Sequence, residues 1–453
     1  MQHLFLMEFF GRGQSGRSYA VTERVRVFKA LQKNVRLVTF DYNPQYNDIW
    51  QAVAPDLEAT HLNMMAYYQG DAIAGGVRVE RLHDHQQVTL VDRVFNQSDR
   101  LVGEIYYGLD NKTVSRRVAI LYNTDGSERI RLLYQQNKVA QVHFWQAGQL
   151  QVMSFTALVR QFLQEITAQE PSVIYADVLE EEMTQAYLGV SNAVAKVAYI
   201  HADHHVGQHQ ILVGFRNLLR SRQFDWIVTG THNQAVDVQT EWQCRTADIA
   251  PASINVPKSV TALADRRAMS VVVVTRFDRI KRVEDMIAAV VQAHQQNRDI
   301  NLQLYGTITD QAYYTQLQKQ VTDAHASNYI TFNGPTTDAV ATFQTGQLTV
   351  FTSRTEGFGR TLLEALAAGT PVVSYDIDYG PRAVIGKGGK LVSDGRVDLL
   401  ANALVMGLAD RHWREQASEA ARQQATQYDA PHITAKWADL IAELEHCDEN
   451  NAD

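Results

Sequence analysis

Apolar positions recur along the chain in two different rhythms. Val35-Arg-Leu-Val-Thr-Phe40, Met269-Ser-Val-Val-Val-Val-Thr275, Leu302-Gln-Leu-Tyr305, Leu348-Thr-Val-Phe351 and Pro371-Val-Val-Ser-Tyr375 are short, nearly continuous apolar runs. Each is followed by a helical stretch, the pattern of parallel strands covered on both faces. Between about 75 and 155 the rhythm changes. Gln87-Val-Thr-Leu-Val91, Leu101-Val-Gly-Glu-Ile-Tyr-Tyr107, Val118-Ala-Ile-Leu-Tyr122 and Val142-His-Phe-Trp145 alternate or are β-branched and aromatic, with Asn111, Asp125-Gly126 and Gly148 as punctuation. That pattern predicts an antiparallel meander.

The patterns together predict an α/β chain of two Rossmann-like domains facing a cleft, with an antiparallel β-rich insertion in the N-terminal one. The expected boundaries are 1–258 for the N-terminal domain, interrupted by the insertion at 75–155. Residues 259–430 form the C-terminal domain, and 431–453 a last helix and acidic tail. The linker is Ala250-Pro-Ala-Ser-Ile-Asn-Val-Pro-Lys258, with two prolines and no helical period. From Ala438 the last 16 residues hold six acids and no Lys or Arg, so that end is expected to fray into solvent after its last helix.

Composition narrows the function classes. The 453 residues are 45% hydrophobic and 20% charged, ordinary globular values. A net charge of -8 argues against nucleic acid as partner. The two cysteines, Cys244 and Cys447, stand in no metal-ligand spacing and read as free thiols of a reducing cytoplasm. The apolar start, Met1 to Phe10, carries Glu8 and no basic leader, so it reads as a buried first strand and not a signal peptide. No uninterrupted apolar run is long enough for a transmembrane helix.

Candidate chemistry lies where strands end. Glu356-Gly-Phe-Gly-Arg-Thr361 joins a strand to the apolar helix Thr361-Leu-Leu-Glu-Ala-Leu-Ala-Ala368, which Gly369 stops. Glycines at a helix start let a ligand approach the backbone, whose free N–H groups attract anions. Glu356 and Glu364 suit hydroxyls on either side of a bound pyrophosphate. A βα turn with Glu356 in solvent and Glu364 on an exposed helix face fits the spacing equally well. Arg276-Phe-Asp-Arg-Ile-Lys281 puts two cations at another strand end, where they can neutralise a diphosphate leaving group without a metal.

The segment Ser353 to Tyr375 resembles the donor-site signature of retaining family-4 glycosyltransferases of the GT-B fold, and Arg276 with Lys281 resembles their diphosphate pair. The resemblance implies Glu356 at the donor sugar, Glu364 at the ribose, and Gly357, Phe358, Gly359, Arg360 and Thr361 around the nucleotide sugar. Arg360 departs from the apolar residue common there. Arg24-Val-Arg-Val-Phe28, Asp41-Tyr-Asn-Pro44 and Asp92-Arg-Val-Phe95 resemble the bacterial poly(glycerol-phosphate) α-glucosyltransferases of wall teichoic acid. They resemble more weakly the enzymes that glycosylate serine-rich adhesins. By the same resemblance His201, in His201-Ala-Asp-His-His205, contacts the sugar; His204 and His205 read as loop filler.

The implied function is transfer of a hexosyl group, glucose, from a UDP-sugar to a teichoic acid poly(glycerol-phosphate) hydroxyl, with retention and no metal cofactor. The alternatives are a UDP-GlcNAc-dependent O-glycosyltransferase of a Ser-rich adhesin and a non-catalytic GT-B partner subunit. The second is disfavoured by the presence of all four Glu, Arg and Lys residues. Gly11-Arg-Gly-Gln-Ser-Gly16 is formally a dinucleotide fingerprint followed by Asp41. A dehydrogenase would leave the segments at 276–281 and 356–364 without a role, so the loop reads as a cleft wall with Ser15 and Gly16 as diphosphate contacts. Asp376-Ile-Asp378 reads as a loop and not a metal site.

Partners follow from charge and edges. The first 40 residues carry seven Lys or Arg against two acids, including Arg12, Arg17, Arg24 and Arg26, which would attract a phosphate-rich polymer or lie on an ordinary helix face. Phe215-Arg-Asn-Leu-Leu-Arg-Ser-Arg222 would touch anionic lipid as a peripheral membrane contact at the inner face of the plasma membrane, or pack as a helix against the sheet. Exposed meander edges would pair subunits into a homo-oligomer.

Overall fold

The computed structural model describes residues 1–11, 16–73, 76–110, 113–177, 181–206, 210–211 and 213–449. Ser15, Arg12 and Asn111 lie outside them, and so does the side chain of Cys447. The chain forms two compact units: Met1–Tyr199, Ile211–Trp226 and Ile441–Asp453 in one, and Ile200–Gln210 with Ile227–Leu440 in the other. Among the described residues no helix is long and apolar enough to cross a membrane.

The first unit is built on parallel strands β1 (Gln2–Met7), β2 (Asn34–Thr39) and β3 (His61–Asn63). After seven further strands the parallel series resumes with β11 (Ser172–Ala176) and β12 (Ala195–Ile200), giving the order β12-β11-β1-β2-β3. Connections that leave β1 on one side and return to its other side at β11 create a switch point there, where strand ends diverge. Leu4, Phe5, Ile174 and Leu37 in these strands are fully buried. The helix Gly16–Ala30 packs on them through Val21, Val25 and Phe28.

Two of the four arginines expected to form a basic patch are committed elsewhere. Arg24 is buried and bidentate to Asp177, at 2.5 and 3.1 Å, with its guanidinium 4.2 Å from the Tyr199 ring. Arg26 pairs with Asp56 at 2.8 Å and Glu23 at 2.6 Å. A buried charge must find a partner because desolvation costs more than a surface pair returns, which is why Arg24 turns inward. Arg17 is exposed.

The insertion is a seven-stranded antiparallel meander: β4 (Val77–His83), β5 (Thr89–Asn96), β6 (Leu101–Asp110), β7 (Thr113–Tyr122), β8 (Glu128–Gln135), β9 (Lys138–Gln146) and β10 (Gln149–Met153). Gly126 and Gly148 sit at turns with φ of +85° and +76°, as their punctuation predicts. Val102, Ile105, Ala119, Leu121, Ile130, Leu132, Val142 and Phe144 are buried on one face. Gln69 ties that face to the parallel layer by donating to the Val102 carbonyl at 2.8 Å, and Tyr68 meets Phe144 at 4.8 Å between ring centroids. Leu150 and Val152 on the edge strand β10 are exposed.

Short strands β13 (His205–Val206), β14 (Gln210–Ile211), β15 (Trp226–Thr229) and β16 (Arg245–Asp248) precede an irregular stretch that includes Pro251 and Pro257. The helix Val213–Ser221 buries Phe215, Leu218 and Leu219 and leaves Arg220 exposed, the packed alternative for that segment. Cys244 is a free thiol.

The second unit then carries β17 (Ser270–Val274), β18 (Asn301–Tyr305), β19 (Ile330–Phe332), β20 (Thr349–Phe351), β21 (Val372–Asp376) and β22 (Gly389–Ser393), all pairings parallel. The sheets β17-β18-β19 and β20-β21-β22 meet where Val271 bridges Leu348 and the Val272 amide donates to the Leu348 carbonyl at 2.9 Å. The resulting order is β19-β18-β17-β20-β21-β22, with its switch point between β17 and β20. Val271, Val273, Leu302, Leu304, Val350 and Val373 form its core with the helices Val283–Gln296 and Val397–Ala409. The last helix, Ala430–Glu449, runs through most of the acidic stretch, burying Ile441 and Leu444 and pairing Glu445 with Lys33 at 2.8 Å; the expected frayed end beyond it lies outside the described residues.

Candidate active site

The segments at 276–281 and 353–360 follow β17 and β20, so the sheet order brings both to one switch point. Asp278 organises the first. One carboxylate oxygen accepts from the Ile280 and Lys281 amides at 3.1 and 3.2 Å, and the other pairs with Arg276 at 3.0 Å. The Arg276 side chain is 55% exposed, available to an anion in solvent.

Lys281 points the other way, onto Glu356. Its Nζ contacts Glu356 Oε1, which also accepts from the Ser353 hydroxyl at 3.0 Å. Both partners are mostly buried. Glu356 is therefore not in solvent, and the simple βα-turn reading fails at this residue. Its carbonyl accepts from the Tyr379 and Gly380 amides at 2.8 and 3.1 Å, fixing the loop to the segment after β21.

Arg282 holds the two segments in register, a role that no sequence spacing announces. It has φ of +46°, is buried, and donates to the Thr352 carbonyl at 2.6 Å and the Ser353 carbonyl at 2.9 Å. It also pairs with Asp394 and lies 4.7 Å from the Tyr375 ring centre. The Thr352 hydroxyl returns a bond to the Lys281 carbonyl at 2.8 Å.

The two glycines of the loop after Glu356 have distinct reasons to be glycine. A Cβ on Gly357 would stand 2.4 Å from the His201 carbonyl oxygen and 3.0 Å from the Ala202 Cα. Gly359 has φ of +87° and is the N-cap of the helix Arg360–Ala367, with no side-chain capping bond. A helix start with no capping side chain keeps its first amides available to an anion. Phe358, between them, is buried against Gly230 and meets Tyr428 edge-on at 5.3 Å.

Glu364 is 10% exposed at the side chain and pairs with Arg360 at 2.9 Å. Burial raises its pKa while the Arg360 charge works against that. Arg360, the residue that departs from the pattern, thus offsets part of the effect of burial. Thr361 is half-buried beside them. His201 directly follows β12, and its backbone abuts Gly357. Gly16 opens its helix in the first unit and is exposed.

Two groups bear on metals. Asp203, His204 and His205 offer ligand atoms within 4.8 Å of one another, the group of this kind found among the described residues. His204 is buried, takes a contact from the Gln234 amide at 3.5 Å, and has its pKa lowered to about 4 by desolvation. His205 faces Glu241 at 3.1 Å. Asp376 and Asp378 both bind Arg382, so that acidic pair is spent on a side chain.

Residues 263–424 match the family of glycosyl transferases group 1. The chain is 28% identical over 196 residues to a poly(glycerol-phosphate) alpha-glucosyltransferase of Bacillus subtilis, covering 43% of this chain and only 28% of that relative's length. It is 26% identical over 366 residues to the GtfA subunit of the UDP-N-acetylglucosamine--peptide N-acetylglucosaminyltransferase of Streptococcus gordonii, 75% of this chain and 69% of the other. Among solved structures, the pneumococcal O-GlcNAc transferase GtfA in complex with UDP and GlcNAc superposes with a TM-score of 0.79 at 18% identity, over 98% of this chain and 99% of that one. The fold is GT-B, with the antiparallel sheet inserted in its N-terminal part.

Proposed function

The chain carries a glycosyl transferases group 1 domain over residues 263–424, and on that premise we propose that it is a retaining glycosyltransferase moving a hexosyl group, glucose, from a UDP-sugar to a hydroxyl of a poly(glycerol-phosphate) teichoic acid. The observation that carries the reading is the Lys281–Glu356–Ser353 cluster at the switch point, with Arg276 exposed beside it. A UDP diphosphate there gives Lys281 a second anionic partner and draws on Arg276 and the first amides of the helix Arg360–Ala367. Preorganised donors of this kind stabilise the charge that develops as the glycosidic bond to UDP breaks. Glu356 then faces the sugar and Glu364 the ribose. His201, whose backbone abuts Gly357, contacts the sugar.

The reaction so arranged needs no metal, since cations of the chain stand at the leaving group, and activity should persist in EDTA. Retention is tested by the anomeric configuration of the product; a β-linked product rejects it. The exposed edge of β10 supports pairing between copies, and a cytoplasmic enzyme at the inner membrane face suits a polymer acceptor.

A second reading is favoured by the longer match to the GtfA subunit and the whole-chain superposition on GtfA: transfer of N-acetylglucosamine to a Ser-rich protein, alone or with a partner chain. One experiment separates them. UDP-glucose and UDP-GlcNAc are each offered with glycerol-phosphate polymer and with a Ser-rich peptide, and Glu356→Ala serves as control. Glucosylated polymer supports the first reading and modified peptide the second. Absence of UDP release with every pair favours a non-catalytic partner subunit.

A further inference from the structure

A cavity of about 1000 Å³ in the first unit is lined by residues at the carboxyl ends of its parallel strands and by residues of the meander. That volume is at the upper end of what single ligand sites enclose, so it has room for an extended chain segment. Its two walls carry opposite charges. Glu8 follows β1 directly and Asp41 lies two residues past β2, while Arg116 of β7 and Lys138 of β9 come from the insertion. Tyr107 and Tyr134 of the meander also line it.

Internal pairing accounts for only part of this lining. Arg116 donates to the Tyr42 carbonyl at 2.9 Å and hydrogen-bonds the Tyr134 side chain, and these bonds do not exhaust its five N–H donors. Asp41 takes the Tyr46 hydroxyl on one oxygen. Lys138 is exposed. Carboxylates accept from hydroxyls, and Arg and Lys bind phosphate. A wall of each suits a ligand that carries both groups in alternation along its length. A polyol-phosphate strand does; a neutral Ser-rich peptide would satisfy the acids and leave the cations desolvated.

We infer that this cavity is an acceptor-recognition site for a polyol-phosphate chain, its phosphates on Arg116 and Lys138 and its hydroxyls on Asp41 and Glu8. The inference rests on the glycosyltransferase reading and adds to it the residues that select the acceptor. The insertion is then the acceptor-reading element of the fold, since both cations come from it.

The test uses the full chain with UDP-glucose and glycerol-phosphate polymer. Lys138→Glu, at an exposed turn, should raise the polymer KM about tenfold, the size of one lost charge-assisted contact, with kcat changed much less. Arg116→Gln should act in the same direction, and its melting curve reports whether it folds. The wild-type polymer KM should climb with ionic strength, and Lys138→Glu should flatten that climb. A polymer KM unmoved by Lys138→Glu, or the same rise in KM for a Ser-rich peptide, overturns the site. The underlying reading is judged separately by calorimetry of UDP on the wild type: bound UDP with an unmoved polymer KM rejects only the cavity, whereas no UDP binding rejects both.

Discussion

At the scale of single residues, Arg282 and Arg360 do work that a list of charged positions would not suggest. Arg282 supplies donors to two carbonyls at the end of β20. Arg282→Gly tolerates the positive φ yet strands those carbonyls and Asp394, so it should cost about 2–4 kcal/mol, measured by denaturant unfolding; a loss within a few tenths would reject the role. Arg360 stabilises the charged form of Glu364 against burial. In Arg360→Leu that carboxyl should take up a proton at higher pH. UDP affinity followed by calorimetry should then begin to fall at a higher pH during acidification than in the wild type. Identical pH profiles would show that Glu364 does not bind the ribose as a carboxylate.

At the scale of elements, the loop from Glu356 to Arg360 depends on close packing between backbones. Gly357→Ala puts a methyl where the His201 carbonyl already lies. One segment must move by an ångström or so, and turnover should drop about 100-fold with little change in melting temperature; retained turnover would mean that the loop adapts. Much of this was legible beforehand. The Glu356–Glu364 spacing, the glycines and the Arg276–Lys281 run are local patterns, and so are the alternation and turn residues of the meander. What was not legible depends on distant partners. Asp394 meets Arg282 from 112 positions away and Asp177 meets Arg24 from 153 away, so no spacing rule could see that Arg24 is buried and lost to the basic patch. Gly357 was read as room for a ligand, but the immediate neighbour of its backbone is His201.

At the scale of the whole molecule, three desolvated histidines set the response to acid. Desolvation lowers the pKa of His3, His61 and His204 to about 4 each, from 6.5. The unfolded chain binds those protons first, so this stability is full above pH 6.5 and is lost as pH falls toward 4, at most about 3 kcal/mol per histidine. Asp41 acts in the opposite sense. Burial raises its pKa to about 6, so its folded form gains on acidification, by no more than a similar amount. Glu364 and Asp285, also raised by burial, act with Asp41 but by smaller shifts, so the histidines prevail and the melting temperature should fall between pH 6.5 and 4.5; a flat or rising profile would contradict it. The grouping of Ile200–Gln210 with the C-terminal segment also has a practical meaning for recombination. A donor module exchanged between relatives by a single crossover at the 250–258 linker would leave Gly357 and Phe358 against a foreign counterpart of His201 and Gly230. Chimeras should keep their activity when those two short segments travel with the module, which makes the inheritable unit of sugar choice discontinuous along the gene.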